Sequence, residues 1–206
     1  ANVRLSGADF TLYYFDGWDD NPVRINGEED RLRNSYNFDL KHKRYTHFGA
    51  EFSIPVSQFI FRGESSFALN RYINNRFLYE PPKKHDILQG LIGIDWNPGY
   101  DLNISVQVYD SYITDYKKDN LEVKEHEPFL SFYTTKQFLR QTLTFSTFFL
   151  YGINEKQFFN KTFFDYALTG HLHLIIGVDI YEGRDDSFFG RYTDNSNVWI
   201  NGKYNF

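Results

Sequence analysis

The sequence predicts an all-β fold, a transmembrane antiparallel meander β-barrel of about ten strands, and three observations carry that prediction. Apolar side chains recur at every second position along most of the chain, where a helix would space them every three or four. The connections between such segments alternate between short turns and long polar stretches. Aromatic residues make up 20% of the 206 positions, with 22 Phe, 16 Tyr and 3 Trp, yet the mean hydropathy is only −0.54. Strands that show lipid one face and polar groups the other account for both numbers, because hydropathy averaged along such a strand cancels.

From the N-terminus, the strands centre near residues 11, 49, 64, 91, 105, 131, 145, 165, 176 and 201. The first ends in a cluster of aromatics suited to a membrane interface, Tyr13, Tyr14, Phe15 and Trp18. A long polar connection over 19–38 leads to the second, and the turn Pro55-Val56-Ser57 joins that one to the third, over 58–70. Connection 71–85 precedes the fourth, which reaches Trp96 and turns at Asn97-Pro98-Gly99-Tyr100. The fifth, over 101–108, alternates most cleanly: Leu102, Ile104, Val106 and Val108 share one face, and Asn103, Ser105 and Gln107 the other. Connection 110–126 leads to the sixth, a turn near Lys136-Gln137 to the seventh over 139–151, and connection 152–158 to the eighth. After a turn near Gly170, the ninth sets Leu172, Leu174, Ile176, Val178 and Ile180 against His173, Ile175, Gly177 and Asp179. Connection 182–196 precedes the tenth, where Val198, Ile200, Gly202, Tyr204 and Phe206 oppose Trp199, Asn201, Lys203 and Asn205. Long connections thus gather at one end of the meander and short turns at the other, as in barrels with short periplasmic turns and long external loops.

Composition removes several classes. No stretch approaches the ~18 consecutive apolar residues of a spanning helix. The aromatic content excludes disorder. A net charge of −5 with 24% charged residues gives a nucleic-acid partner little support. With no Cys there are no disulfides, thiolate nucleophiles or cysteine-bound metals. Met is absent too, position 1 included, which points to a processed chain or a fragment.

Charge decides which face meets lipid, since an Arg or Lys at the bilayer midplane costs ~2–4 kcal/mol. Glu51, Arg62, Glu64, Asp95, Arg140, Asp165 and Lys203, with His47, Gln107 and Asp179, are therefore expected to face the lumen, and 1–206 to form a single barrel domain. Arg62-Gly63-Glu64 places opposite charges on one face, with Glu51 near them across the Pro55 hairpin. Two readings stand: a constriction that selects solutes by charge, or an ion-pair network holding register in a narrow, filled interior. Tyr109, Tyr133 and Tyr181 share the lumenal parity, as an aromatic slide for solutes or as filler.

The acidic positions Asp19-Asp20, Asp185-Asp186 and Asp194 match no calcium-loop spacing. Ser111, His85 and His126 lie in connections without a Gly-x-Ser-x-Gly elbow. His171 and His173 share a face but bring no third ligand. No catalytic group, cofactor or metal site is expected.

The terminal stretch Val198-Trp-Ile-Asn-Gly-Lys-Tyr-Asn-Phe206 resembles the last strand of bacterial outer-membrane proteins, which implies that Phe206 is the signal read by the barrel-assembly machinery. The pieces Leu12-Tyr-Tyr-Phe-Asp-Gly-Trp-Asp-Asp-Asn-Pro22, Gly49-Ala-Glu-Phe-Ser-Ile-Pro55, Phe61-Arg-Gly-Glu-Ser-Ser-Phe67, Gly93-Ile-Asp-Trp96 and Phe188-Phe-Gly-Arg-Tyr-Thr-Asp-Asn195 resemble the C-terminal portion of a proteobacterial family of porin-like outer-membrane proteins of unknown function. The resemblance implies a Gram-negative outer-membrane location. It also implies that this chain supplies the last ten strands of a wider barrel, and it carries over no catalytic residues. The expected function is passage of a small solute, with outer-membrane lipids and lipopolysaccharide as surroundings. The competing readings are a plugged structural barrel whose loops bind an envelope protein, and an outer-membrane barrel enzyme.

Overall fold

The computed structural model describes residues 2–5, 7–30, 35–77, 80–116, 121 and 123–206. Its strands are β1 (Asn2–Leu5), β2 (Ala8–Trp18), β3 (Val23–Asp30), β4 (Ser35–Lys41), β5 (Arg44–Val56), β6 (Phe59–Ile73), β7 (Lys83–Gly99), β8 (Leu102–Ile113), β9 (Phe129–Phe138), β10 (Leu143–Gly152), β11 (Gln157–Ala167), β12 (Leu172–Glu182) and β13 (Asn197–Tyr204). The ten strands predicted from alternation are β2 and β5–β13. Eleven strands form one sheet in the order β1-β2-β5-β6-β7-β8-β9-β10-β11-β12-β13, and β3-β4 form a separate hairpin. The order begins at β1 and ends at β13, so among the described residues the sheet is not closed into a barrel.

Four expectations need correcting. The 19–38 connection contains the β3-β4 hairpin. Tyr36, Phe38 and Leu40 alternate along β4, but the register sets Leu40 opposite Arg24, and Val23 and Ile25 opposite Lys41 and Asp39, so neither face of the pair is uniformly apolar. The turn expected at Lys136-Gln137 lies further on, because β9 runs to Phe138. The chain instead reverses through Leu139, Arg140 and Gln141, at φ 51, 56 and 69°, and the Thr142 hydroxyl donates to the Leu139 carbonyl at 2.7 Å. Arg140 is therefore an exposed turn residue rather than a strand residue facing a lumen. The expected long connection 152–158 shrinks to a tight turn, since β10 ends at Gly152 and β11 starts at Gln157.

By its packing the chain falls into two compact units. The first is Ala1–Phe52, Glu64–Gly90 and Asp110–Glu127. The second is Ser53–Gly63, Leu91–Tyr109 and Pro128–Phe206.

In the first unit, Ala68, Ile73, Ile87, Ile113 and Leu121 form an apolar cluster with Tyr45, Tyr116 and Val123 against it. Ala68 and Ile73 are an odd number of residues apart and would point to opposite faces of a regular strand. Asn70, at φ 53°, breaks the alternation between them and brings both into the cluster. The Asp19 carboxylate accepts from Arg71 at 2.6 and 3.2 Å and from the Asn21 amide at 3.0 Å. Arg24 reaches the Asn74 side chain through its amide, 2.9 Å, and the Asn75 carbonyl through its guanidinium, 2.5 Å. These bonds tie the hairpin to the end of β6.

The second unit carries six strands whose pairing is residue-exact from β8 to β13. Partners directly opposite in an antiparallel sheet share a face, so the register sorts every side chain. One face bears Ile104, Val106, Phe132, Phe145, Phe149, Phe164, Leu174, Ile176, Val198 and Ile200. Across its middle runs a row of register neighbours, Thr134, Thr147 and Thr162. Their polar groups are satisfied locally. Thr147 and Thr162 hydroxyls meet at 2.6 Å, and Asn160 donates to Thr147 at 3.1 Å and to the Phe148 carbonyl at 3.0 Å. Thr162 donates to Asn160 at 3.0 Å, and Thr134 to the Asn103 carbonyl at 2.8 Å.

Two glycines are each covered by a neighbouring ring. Tyr13 occupies the space that a Cβ at Gly49 would need, and the Trp199 indole does the same over Gly177. A ring lying across a strand glycine restores the side-chain packing that the glycine gives up.

Candidate functional site

The charge-bearing face of the second unit is the candidate site, and alternation alone positions its residues. Lys161, Phe163 and Asp165 follow one another at every second position of β11 and stand opposite Asp179, Gly177 and Ile175 of β12, which in turn oppose Asn197, Trp199 and Asn201 of β13. The Lys161 ammonium lies 3.6 Å from the Asp179 carboxylate and 5.1 Å from the centre of the Trp199 ring. The indole N–H of Trp199 donates to the same carboxylate at 3.1 Å. Nearer the short-turn end, Asp165 meets the His173 ring at 2.7 Å, and Lys203 stands directly across from His173. Arg62 donates to Asp95 at 2.6 Å. Asp95 is 8% exposed, and the Arg62 guanidinium supplies this buried side chain with a partner of opposite charge.

At the other end of this face, a folded connection packs against rings of the strands. Residues 183–196 contain two turns of 3-10 helix, Gly190–Asn195. Its neighbour Phe189 is buried, donates its amide to Gln157 at 2.7 Å and stacks on Phe159 at 6.0 Å. Tyr181 stacks on Phe159 at 4.8 Å, and Tyr192 leans on Tyr181 at 6.0 Å. Ser187 donates to the Arg184 carbonyl at 2.7 Å and accepts the Gly190 amide at 3.1 Å, which holds the connection in this shape.

The residues expected to line a lumen divide accordingly. Arg62, Asp95, Asp165 and Lys203 stand on strands of the second unit, the first two as an ion pair and the last two flanking His173. Arg62 pairs with Asp95, on the neighbouring strand β7. Glu51 and Glu64 belong to the first unit, where both lie within electrostatic reach of the Tyr13 hydroxyl. Arg140 is outside the group for the reason given above. Tyr109 and Tyr133 share the charge-bearing parity, opposite Phe129 and Ser105 respectively. Phe206 is fully exposed.

Sequence reasoning missed Lys161, Trp199 and Gln157. The first was recoverable, because it shares the parity of Asp165 four residues on. It was masked by Phe158-Phe159-Asn160-Lys161-Thr162-Phe163-Phe164, where bulky rings on both faces blur the period.

The other sequence candidates hold local structural bonds. His126 meets Asp110 at 2.8 Å and His85 meets Asp115 at 3.2 Å, while the Ser111 carbonyl accepts the Glu127 amide at 3.1 Å. His171 contacts the Asn205 carbonyl at 3.1 Å. Among the described residues no three His, Cys, Asp or Glu side chains gather as a metal site would require. Comparison with protein-family models, with curated proteins and with solved structures returns no match for this chain.

Proposed function

We propose that this chain is a porin-like outer-membrane β-barrel, or part of one, that passes a small solute along its charge-bearing face. The observation that carries the reading is the sorting of faces across β8–β13. On the apolar face Ile176, Val198 and Ile200 are 50, 76 and 65% exposed, while Lys161, Asp165, Asp179 and Lys203 occupy the other. A water-soluble sheet would bury the first set and expose the second, and soluble monomers rarely expose contiguous apolar patches above a few hundred Å². Lipid against the apolar face removes that conflict.

In this reading the long connections are external, Phe206 is the residue read by the barrel-assembly machinery, and outer-membrane lipid is the solvent of the apolar face. Arg62–Asp95, Lys161–Asp179 and Lys203 set the field a solute meets. The test is planar-bilayer conductance of the refolded protein. Stable, ion-selective steps whose reversal potential moves toward cation selectivity in Arg62→Ala support a pore, because that change leaves the Asp95 charge uncompensated. A heat-modifiable but electrically silent protein refutes it. Silence would favour a filled interaction barrel, a reading that rests on the apolar cluster of Ala68, Ile87, Ile113 and Leu121 beneath the connections of the first unit.

A further inference from the structure

Four strands of the first unit, β2, β5, β6 and β7, bring their long-connection ends together, and there they gather cations and rings on one face. Arg44 forms an ion pair with Asp16, whose other oxygen accepts from the Thr46 hydroxyl at 2.8 Å. These side chains alternate with Tyr45, which packs toward the Ala68–Ile87 cluster, so they occupy the opposite face of β5. The Arg44 guanidinium lies 6.0 Å from the Trp18 ring. The ammonium groups of Lys43 and Lys84 each stand 5.4 Å from the centre of the Tyr72 ring, and neither has a carboxylate partner among the described residues. An open recess of 190 Å³ lies here, walled by Arg44, Thr46, Leu69, Asn70 and Lys84 among others.

The acidic groups at this edge are already engaged. Asp16 is matched by Arg44 and Thr46, and Asp86 accepts the Asn70 amide at 2.8 Å. The Lys84 ammonium therefore remains on the wall of the recess, and the Lys43 ammonium remains beside it on the Tyr72 ring that both cations share. Ammonium groups bind phosphate as point charges. Basic pockets beside interfacial rings take lipid head groups.

We propose that this recess and its edge bind the diphosphorylated sugar head group of an outer-leaflet lipid of the lipopolysaccharide class, with one phosphate at Lys84, the other at Lys43 across the Tyr72 ring, and acyl chain along Leu69. The site rests on the outer-membrane reading above: with long connections external, these strand ends lie at the depth of the outer-leaflet phosphates.

The test is native mass spectrometry of the full chain refolded in detergent micelles and titrated with diphosphoryl lipid A or with dephosphorylated lipid A. Retention of the diphosphoryl form alone is expected. In the Lys43→Gln/Lys84→Gln double variant its affinity should fall about 30-fold, at roughly fivefold per cation. Equal retention of the dephosphorylated lipid by the unaltered protein overturns the site, and this arm needs no variant to fold. An unchanged affinity in the double variant overturns it as well. Displacement of lipid A by millimolar inorganic phosphate would make this a free-anion site and overturn the lipid assignment. Heat-modifiable migration without lipid A separates the two readings. A folded chain indifferent to lipid A phosphates sinks the site alone, whereas a chain that never inserts into micelles sinks both.

Discussion

Ile175 and Ile176 are sequence neighbours on opposite faces of β12, and replacing each with Lys separates a lipid-facing surface from a water-facing one. Ile176 lies mid-strand, opposite Phe164 and Ile200, and is 50% exposed. In water, a Lys there keeps its aliphatic stem on the neighbours and extends its ammonium into solvent, at a cost below ~1 kcal/mol. In a bilayer the same ammonium sits in hydrocarbon and costs ~2–4 kcal/mol, which lowers the folding equilibrium constant about 30- to 700-fold. Ile175 stands directly opposite Asp165 on the charge-bearing face. A Lys there gains a carboxylate neighbour, worth ~0–1 kcal/mol, against the loss of a half-buried methyl surface of similar size. Ile175→Lys should therefore stay within ~1 kcal/mol of the unaltered protein, and Ile176→Lys should be the more damaging by ~2 kcal/mol or more. Urea unfolding in phosphatidylcholine vesicles, followed by tryptophan fluorescence, measures both. A near-neutral Ile176→Lys, or an Ile175→Lys that costs as much or more, would refute the assignment of faces.

Three further outcomes are expected. Trp199→Ala uncovers Gly177, removes a donor from Asp179 and takes the ring from Lys161, so it should cost ~2–4 kcal/mol in the same unfolding assay, well above the cost of Trp18→Ala at an exposed strand end. Thr147→Val keeps shape but leaves Asn160 and Thr162 each short of a partner, at ~1–3 kcal/mol, and Thr147→Ser should restore most of the loss. Burial pushes the Asp19 carboxyl up, but the Arg71 bonds, the Asn21 amide and the Arg71 charge together outweigh it and hold the carboxyl below the usual range. A depressed carboxylate stabilises the fold above its unfolded value, ~3.9, and that stabilisation is lost as pH falls toward the folded value. The urea midpoint should fall less steeply below pH ~4 in Asp19→Asn than in the unaltered protein, and parallel curves would show that the hairpin tie contributes nothing.

How far the fold could be read from sequence depended on whether one face of a strand was uniform. β8 and β12 were legible because Leu102, Ile104, Val106 and Val108, or Leu172 through Ile180, leave no ambiguity of period. Where both faces carry apolar bulk, as in β11, strand location survived but the partner of Asp179 did not emerge. Turn positions failed where chemistry and geometry disagree. Lys136 and Gln137 look like turn residues and are paired strand, while Leu139, Arg140 and Gln141 adopt left-handed backbone that neither Leu nor Arg advertises. The Arg62–Asp95 pair was half visible: both residues had the right parity, but the choice of Asp95 over Glu64 depends on which strand lies beside β6, and spacing within one strand carries no such information. The inner apolar cluster of the first unit was invisible for a related reason. Its members come from β6, β7, β8 and the connection after β8, and Asn70 shifts the parity midway along β6.

The threonine row of β9–β11 has a consequence for how the strands find one another. A slip of one residue between β10 and β11 would turn apolar side chains to the wrong face, and solvent alone would penalise it. Sliding by two preserves every face, so burial and hydropathy are blind to it. What changes is the meeting of Thr147 with Thr162: a slide one way sets them opposite Phe164 and Phe149, and a slide the other way sets Thr162 opposite Phe145, so either way the pair of hydroxyls is broken and at least one faces a ring. Those polar groups therefore work as a vernier, reading displacement along the strands in steps that hydrophobicity cannot resolve. In a closed barrel, stagger and strand number together fix the diameter, so three small side chains on the apolar surface would help to set how wide the opposite surface can stand.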